Sequence, residues 1–136
     1  MGSIRHVFQP IFDIAFHAVI GYEVLLRGEG ELEDCSPLEM FELAAREKRL
    51  YEFDFHSFRE ALKKANAYFL QANEPRVFFV NLLPSTLVHP DFLRDLERLI
   101  HSLSIPLQHV VVEISESEHV NHILLYRAIS RLRNLG

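Results

Sequence analysis

Hydrophobic residues recur along this chain in three rhythms, and each predicts a different kind of element. Residues 5–12 (RHVFQPIF) and 21–28 (GYEVLLRG) carry large and β-branched residues with side chains that alternate across a strand. Gln9 shares a face with Val7 and Ile11 in the first, and Glu23 shares a face with Leu25 and Arg27 in the second. Residues 13–18 are too short a connection for a parallel crossover, so the two strands are predicted to form an antiparallel hairpin. Residues 77–83 (VFFVNLL) and 110–116 (VVVEISE) are nearly unbroken apolar runs, as expected for parallel strands covered on both faces. Each is interrupted by a polar residue, Asn81 in one and Glu113 in the other.

The third rhythm is helical. Ser36-Pro37-Leu38-Glu39 supplies an N-cap, a proline for the first turn and a capping-box glutamate. The helix it opens presents Leu38, Phe41 and Ala45 at helical spacing. A second helix over 54–70 carries Phe55, Phe58, Leu62, Ala65 and Phe69 on one stripe, with Arg59, Glu60, Lys63 and Lys64 on its solvated side. Asn73-Glu74-Pro75 breaks that pattern. A third helix is predicted from Pro90 to about Leu103, with Phe92, Leu96, Leu99 and Leu103 inward. Ser117 is placed to cap a last helix that uses Val120, Leu124 and Leu132 and stops at Gly136. After the hairpin, helices alternate with strands, which predicts right-handed crossovers and a mainly parallel sheet.

Composition narrows this picture. A length of 136 residues suits one domain over 1–136, and 49% hydrophobic content is enough for a core. A net charge of -5 argues against broad DNA or RNA binding, which needs a basic face. It leaves room for a small phosphate ligand held by one or two arginines. Cys35 is the one cysteine, so no internal disulfide forms, which fits a reducing cytoplasmic setting. In a loop without an activating base it is not read as a nucleophile. No apolar run is long enough to span a bilayer, and neither a repeat nor a phosphate-cradling glycine loop is present. His119 and His122 sit one helical turn apart and read as solvated.

Glu23, Asn81 and Glu113 each lie toward the C-terminal end of a separate apolar strand, the edge at which sheets of this class bind ligands. A lone buried charge is costly unless it is paired or bound to a metal. Pairing of Glu23 with Arg27 is the simple account of that one residue. Two carboxylates and a carboxamide together are hard oxygen ligands, suited to Mg2+ or Mn2+ rather than zinc. Such a cation polarises a phosphodiester and acidifies a bound water. Arg27 offers the forked donors that match phosphate oxygens, and Gln9 offers a donor and an acceptor to a base edge.

At these residues the chain resembles the EAL domain of bacterial cyclic di-GMP phosphodiesterases. The matching stretches are Phe8-Gln9-Pro10-Ile11, Gly21-Tyr22-Glu23-Val24-Leu25-Leu26-Arg27, Val80-Asn81-Leu82-Leu83-Pro84 and Val112-Glu113-Ile114-Ser115-Glu116, followed by a closing LRNLG over 132–136. The resemblance implies an α/β fold, a TIM-like barrel with an antiparallel first strand. It implies metal ligands at Glu23, Asn81 and Glu113, for Mg2+ or Mn2+. Contacts to cyclic di-GMP are implied at Gln9, Leu26 and Arg27, and a brace for a loop near the metals and dimer interface at Glu116. The chain departs from the family in having Val24 for the signature alanine, Leu83 for a common small polar residue, and Ser115 for threonine. The family's paired aspartates, lysine and later glutamate have no counterpart here, so no catalytic residue is assigned and the expected fold is about half of a barrel. Three readings stay open: the N-terminal half of a phosphodiesterase, a non-catalytic module binding cyclic di-GMP or a partner protein, and a dimerising structural piece. A homodimer, or the remainder of the barrel, is expected to cover the open strands.

Overall fold

The computed structural model describes residues 3–72, 76–116 and 118–136. Strands β1 (Ile4–Asp13) and β2 (Ala18–Gly28) form the expected antiparallel hairpin. Helices α1 (Pro37–Arg46) and α2 (Leu50–Ala72) follow, then β3 (Val77–Leu82), the short α3 (Pro84–Leu87), α4 (Phe92–His101), β4 (Val110–Ile114) and α5 (His122–Asn134). The sheet order is β1-β2-β3-β4, with β2, β3 and β4 parallel.

Side-chain alternation divides the sheet into a helix-facing and an open side. Tyr22 and Val24 of β2, Phe78, Val80 and Leu82 of β3, and Val110, Val112 and Ile114 of β4 pack into one cluster with α2, α4 and α5. Phe78, Val80 and Leu82 are at most 1% exposed. The other side of β3 is not covered as the apolar run predicts: Phe79 is half-buried and Asn81 exposed. A barrel covers that side by closing on itself, and four strands do not close.

Rings from four elements hold the hairpin to the rest. Phe8, Tyr22, Tyr68 and Phe78 pack together, mostly edge-on or tilted, with centroids 5.3–5.9 Å apart, and the Tyr22 and Tyr68 hydroxyls hydrogen-bond at 3.0 Å. On the same side His6, 4% exposed, meets the Ser57 hydroxyl at 3.1 Å, and Lys64 Nζ donates to the His6 carbonyl. Burial first, and the Lys64 charge second, push the His6 imidazole down to about 4.

The Ser36 capping box forms as predicted. The inward stripe of α1 does not: Met40 and Ala44 are buried, while Ala45 is exposed and Leu38 is 65% exposed. The helix packs sideways against Leu26, Leu32 and Phe53, which turns Leu38 toward the sheet edge. Helix α4 starts at Phe92 and ends at His101, inside the predicted limits. Ser117, predicted as the last cap, lies outside the described residues, as do residues 73–75. The cap of α5 is Asn121, whose side chain accepts from the Ile123 and Leu124 amides. The face of α5 that packs on the core is Leu125, Ala128, Ile129 and Leu132, while Leu124 is 51% exposed. Gly136 has a φ of 111°, in keeping with its stop position.

Candidate functional site

The sheet register brings the predicted ligands to one edge. Gln9 pairs with Glu23, Glu23 with Phe79, and Asn81 with Glu113. All four polar residues fall on the open side by alternation. Glu113 therefore lies beside Asn81, about 5 Å away between backbones, and Glu23 lies one strand over and two residues lower, about 8 Å from Asn81. The Glu113 carboxyl is raised above the ordinary carboxylate range, by partial burial first and by the Glu23 charge second. The two carboxylates thus feel each other across β3.

Arg27 is half-buried, with Nη1 donating to the Leu26 carbonyl at 2.8 Å. Leu26 itself faces the helices, 8% exposed, against Leu32, Met40 and Phe53. Gln9 is exposed, and Glu116 is exposed just beyond β4. Val24 faces the helix layer at 2% exposure, so its extra bulk over alanine stays clear of the open side.

Pairing of β2 with β3 ends at Val24 and Val80, above which the two strands part. The gap continues into a cavity of about 330 Å³ bounded by Leu26, Arg27, Leu38, Phe41, Asn81 and Ser115. Its lining is mostly apolar, with Arg27, Asn81 and Ser115 and the buried polar groups His6, Asp54 and Ser57 among it.

Three carboxylate and hydroxyl positions escape sequence reasoning. Asp54 of α2 is 3% exposed, and it accepts a hydrogen bond from Leu83 N at 3.0 Å. Burial raises its carboxyl above the usual range. Glu118, after β4, accepts from Ser85 N at 2.9 Å and from Ser85 Oγ at 2.8 Å. Asp54 carries a sequence signal, being an acid flanked by Phe53 and Phe55 on a buried stripe. Glu118 and Ser85, 33 residues apart, carry none.

The donor set fits a hard divalent cation, since two mutually repelling carboxylates and an amide oxygen are what such an ion neutralises. Among the described residues no three His, Cys, Asp or Glu side chains gather as a metal-binding group, His119 and His122 included. No described helix is long and apolar enough to cross a membrane.

Comparison with curated proteins finds no match. Among solved structures, Klebsiella pneumoniae BlrP1 in a calcium and cyclic di-GMP complex aligns with a TM-score of 0.78 and 28% identity, over 98% of this chain and 32% of that one. A manganese and cyclic di-GMP complex of BlrP1 aligns with a TM-score of 0.76. The phosphodiesterase PaMucR, in complex with cyclic di-GMP, aligns with a TM-score of 0.78 and 19% identity, over 98% of this chain and 56% of that one. The EAL domain of Xanthomonas citri FimX, also with cyclic di-GMP, aligns with a TM-score of 0.73 and 17% identity, over 96% and 52%. At those identities the likeness to PaMucR and FimX is one of fold. The chain thus spans about a third of BlrP1 and about half of the other two. The EAL domain family model matches residues 2–136, with the hairpin, the parallel strands and the polar edge all in place, and the chain belongs to the EAL domain family.

Proposed function

We propose that the open edge formed by Glu23, Asn81 and Glu113 binds a divalent cation, Mg2+ or Mn2+, together with cyclic di-GMP. One observation carries the reading: three oxygen donors on adjacent parallel strands share the open side, where partial burial first and the Glu23 charge second raise the Glu113 carboxyl. A bound cation removes that repulsion and supplies the charge that polarises a phosphodiester. In this reading Arg27 holds a phosphate, Gln9 reads a base edge, and Leu26 contributes apolar wall to the cavity beside Arg27. Glu116 braces the loop after β4. The divalent ions and cyclic di-GMP of the BlrP1 complexes support the same ligand pair.

The activity proposed is hydrolysis of cyclic di-GMP to the linear dinucleotide, carried out where these residues are joined to groups that activate water. The 136 residues by themselves are assigned binding, because none of their side chains is assigned to that activation. A second copy, or further strands of the same domain, covers Phe79 and Val111 on the open side. Sedimentation checks this: a monomer at tens of micromolar that binds no apolar dye refutes the cover.

The test of the site is calorimetric titration of the folded chain with Mn2+ and with cyclic di-GMP. We expect binding by the wild type and its loss in Glu23→Ala. A folded chain that binds neither ligand overturns the proposal.

A further inference from the structure

Beyond the ligands themselves, the end of β3 is gripped from two sides. The strand stops at Leu82, and α3 begins at Pro84. The N-terminal amides of a helix have no partner within it, and here Leu83 offers no side-chain cap. Asp54, from α2, takes the Leu83 amide. Glu118, from the segment after β4, takes both the amide and the hydroxyl of Ser85, one carboxylate oxygen to each. Hydrogen bonds to an ionised carboxylate are stronger than neutral ones, and two-point contacts also fix orientation.

The Glu118 contact closes a ring. Ser115 N donates to the Leu82 carbonyl at 3.2 Å, one step past the paired residues of β3 and β4. From there the backbone runs along Leu83 and Pro84 to Ser85, which bonds across to Glu118, three positions after Ser115 in the sequence. Asn81 lies one residue before this ring on β3, and Glu113 two residues before it on β4. The outer side of β4 pairs with no described strand, so without the ring its C-terminal end is held by the ladder to β3 and by the packing of Val112 and Ile114 on the helices.

We infer that Glu118 and Ser85 form a clasp that positions Asn81 and Glu113 relative to each other. The inference rests on the proposed cation site, and assigns Glu118 and Ser85 as positioning residues that do not touch the ion. Groups bonded directly to metal ligands are worth ~10–100-fold in affinity, and a clasp one step removed is expected to be worth ~3–10-fold.

The test is Mn2+ affinity of the chain, read by the loss of free-ion paramagnetic resonance signal, with hydrogen exchange as a second readout. Ser85→Ala keeps the charge and is expected to weaken Mn2+ binding ~3-fold or more, whereas Ser85→Thr keeps the hydroxyl and restores it. Glu118→Ala removes both contacts and is expected to weaken binding at least as much, and adding Ser85→Ala to it changes little because the hydroxyl then has no carboxylate to meet. Exchange at residues 82–85 and 113–116 should rise together in Ser85→Ala, with the α2 core unchanged. Wild-type Mn2+ binding that Ser85→Ala and Glu118→Ala both leave intact overturns the clasp and spares the site. A wild type that binds no Mn2+ overturns both. Faster exchange at residues 82–85 alone, with residues 113–116 unaffected, also overturns the clasp, since the ring must loosen on both strands.

Discussion

Replacement of His6 by glutamine should flatten the acid side of the stability profile. In the folded chain the His6 imidazole is pushed down to about 4 from 6.5. Between those values the unfolded chain takes up a proton that the folded chain refuses, so stability rises with pH across that window. The contribution is complete above about pH 7, is lost as pH falls through 6.5, and falls no further below about 4. Each unit of difference is worth about 1.4 kcal/mol, which sets an upper value of about 3 kcal/mol over the window. His6 is 4% exposed but sits on the edge strand β1, where water screens part of the effect. An expected loss of about 2 kcal/mol between pH 7.5 and 4.5 is the reasonable figure. The assay is urea unfolding at the two pH values for wild type and His6→Gln, followed by circular dichroism. Carboxylates titrate in both proteins and cancel in the difference. The variant should lose about 2 kcal/mol less than the wild type. Equal losses would mean that His6 titrates alike in the folded and unfolded chain, and the account of its burial against Ser57 would fail.

Other perturbations bear on the site and on the core. Glu23→Gln should lower the Glu113 carboxyl toward its ordinary range, seen by carbon-detected titration of the Glu113 side chain; an unmoved titration would separate the two carboxylates. Gly28→Ala would place a Cβ 2.0 Å from the Leu32 carbonyl oxygen, so the loop after Arg27 must move. Its cost is expected at about 1–3 kcal/mol by urea unfolding. Phe78→Ala removes a ring with 0% exposure from the four-ring cluster and should cost about 3–5 kcal/mol in the same assay.

The strands and the polar edge were legible because their signals are local. A short connection forces a hairpin, and alternation fixes which residues share a side whatever the neighbouring strand is. The helices were legible in place but less so in rotation. Leu38 is apolar at the right spacing, yet it lines the cavity beside Arg27, because periodicity does not distinguish a core wall from a cleft wall. In α5 the cap is Asn121, and Leu125, with Ala128, Ile129 and Leu132, supplies the packed face that periodicity alone assigns equally well to Leu124. The Asp54 and Glu118 contacts depend on backbone amides 29 and 33 residues away, and an amide leaves no mark in the sequence.

The sheet also separates stability from chemistry by parity. In β2, β3 and β4 the even-numbered side chains face the helices, and the odd-numbered ones face the open side. Val24, Phe78, Val80 and Leu82 therefore carry packing energy, while Glu23, Arg27, Asn81 and Glu113 carry charge and donors. A slip of one residue would turn Glu23 of β2, Asn81 of β3 or Glu113 of β4 toward the helices and expose a core residue in its place. Either error alone costs several kcal/mol, so the core enforces the alignment of the site. Leu26 is the informative case. Its parity and its burial against Met40 and Phe53 place it with the packing residues, and its carbonyl already accepts from Arg27. Any effect of Leu26 on a bound dinucleotide must then pass through the cavity wall or through the orientation of Arg27. A Leu26 substitution should therefore change stability and ligand affinity together, whereas a Gln9 substitution, on an exposed side chain, should change affinity alone.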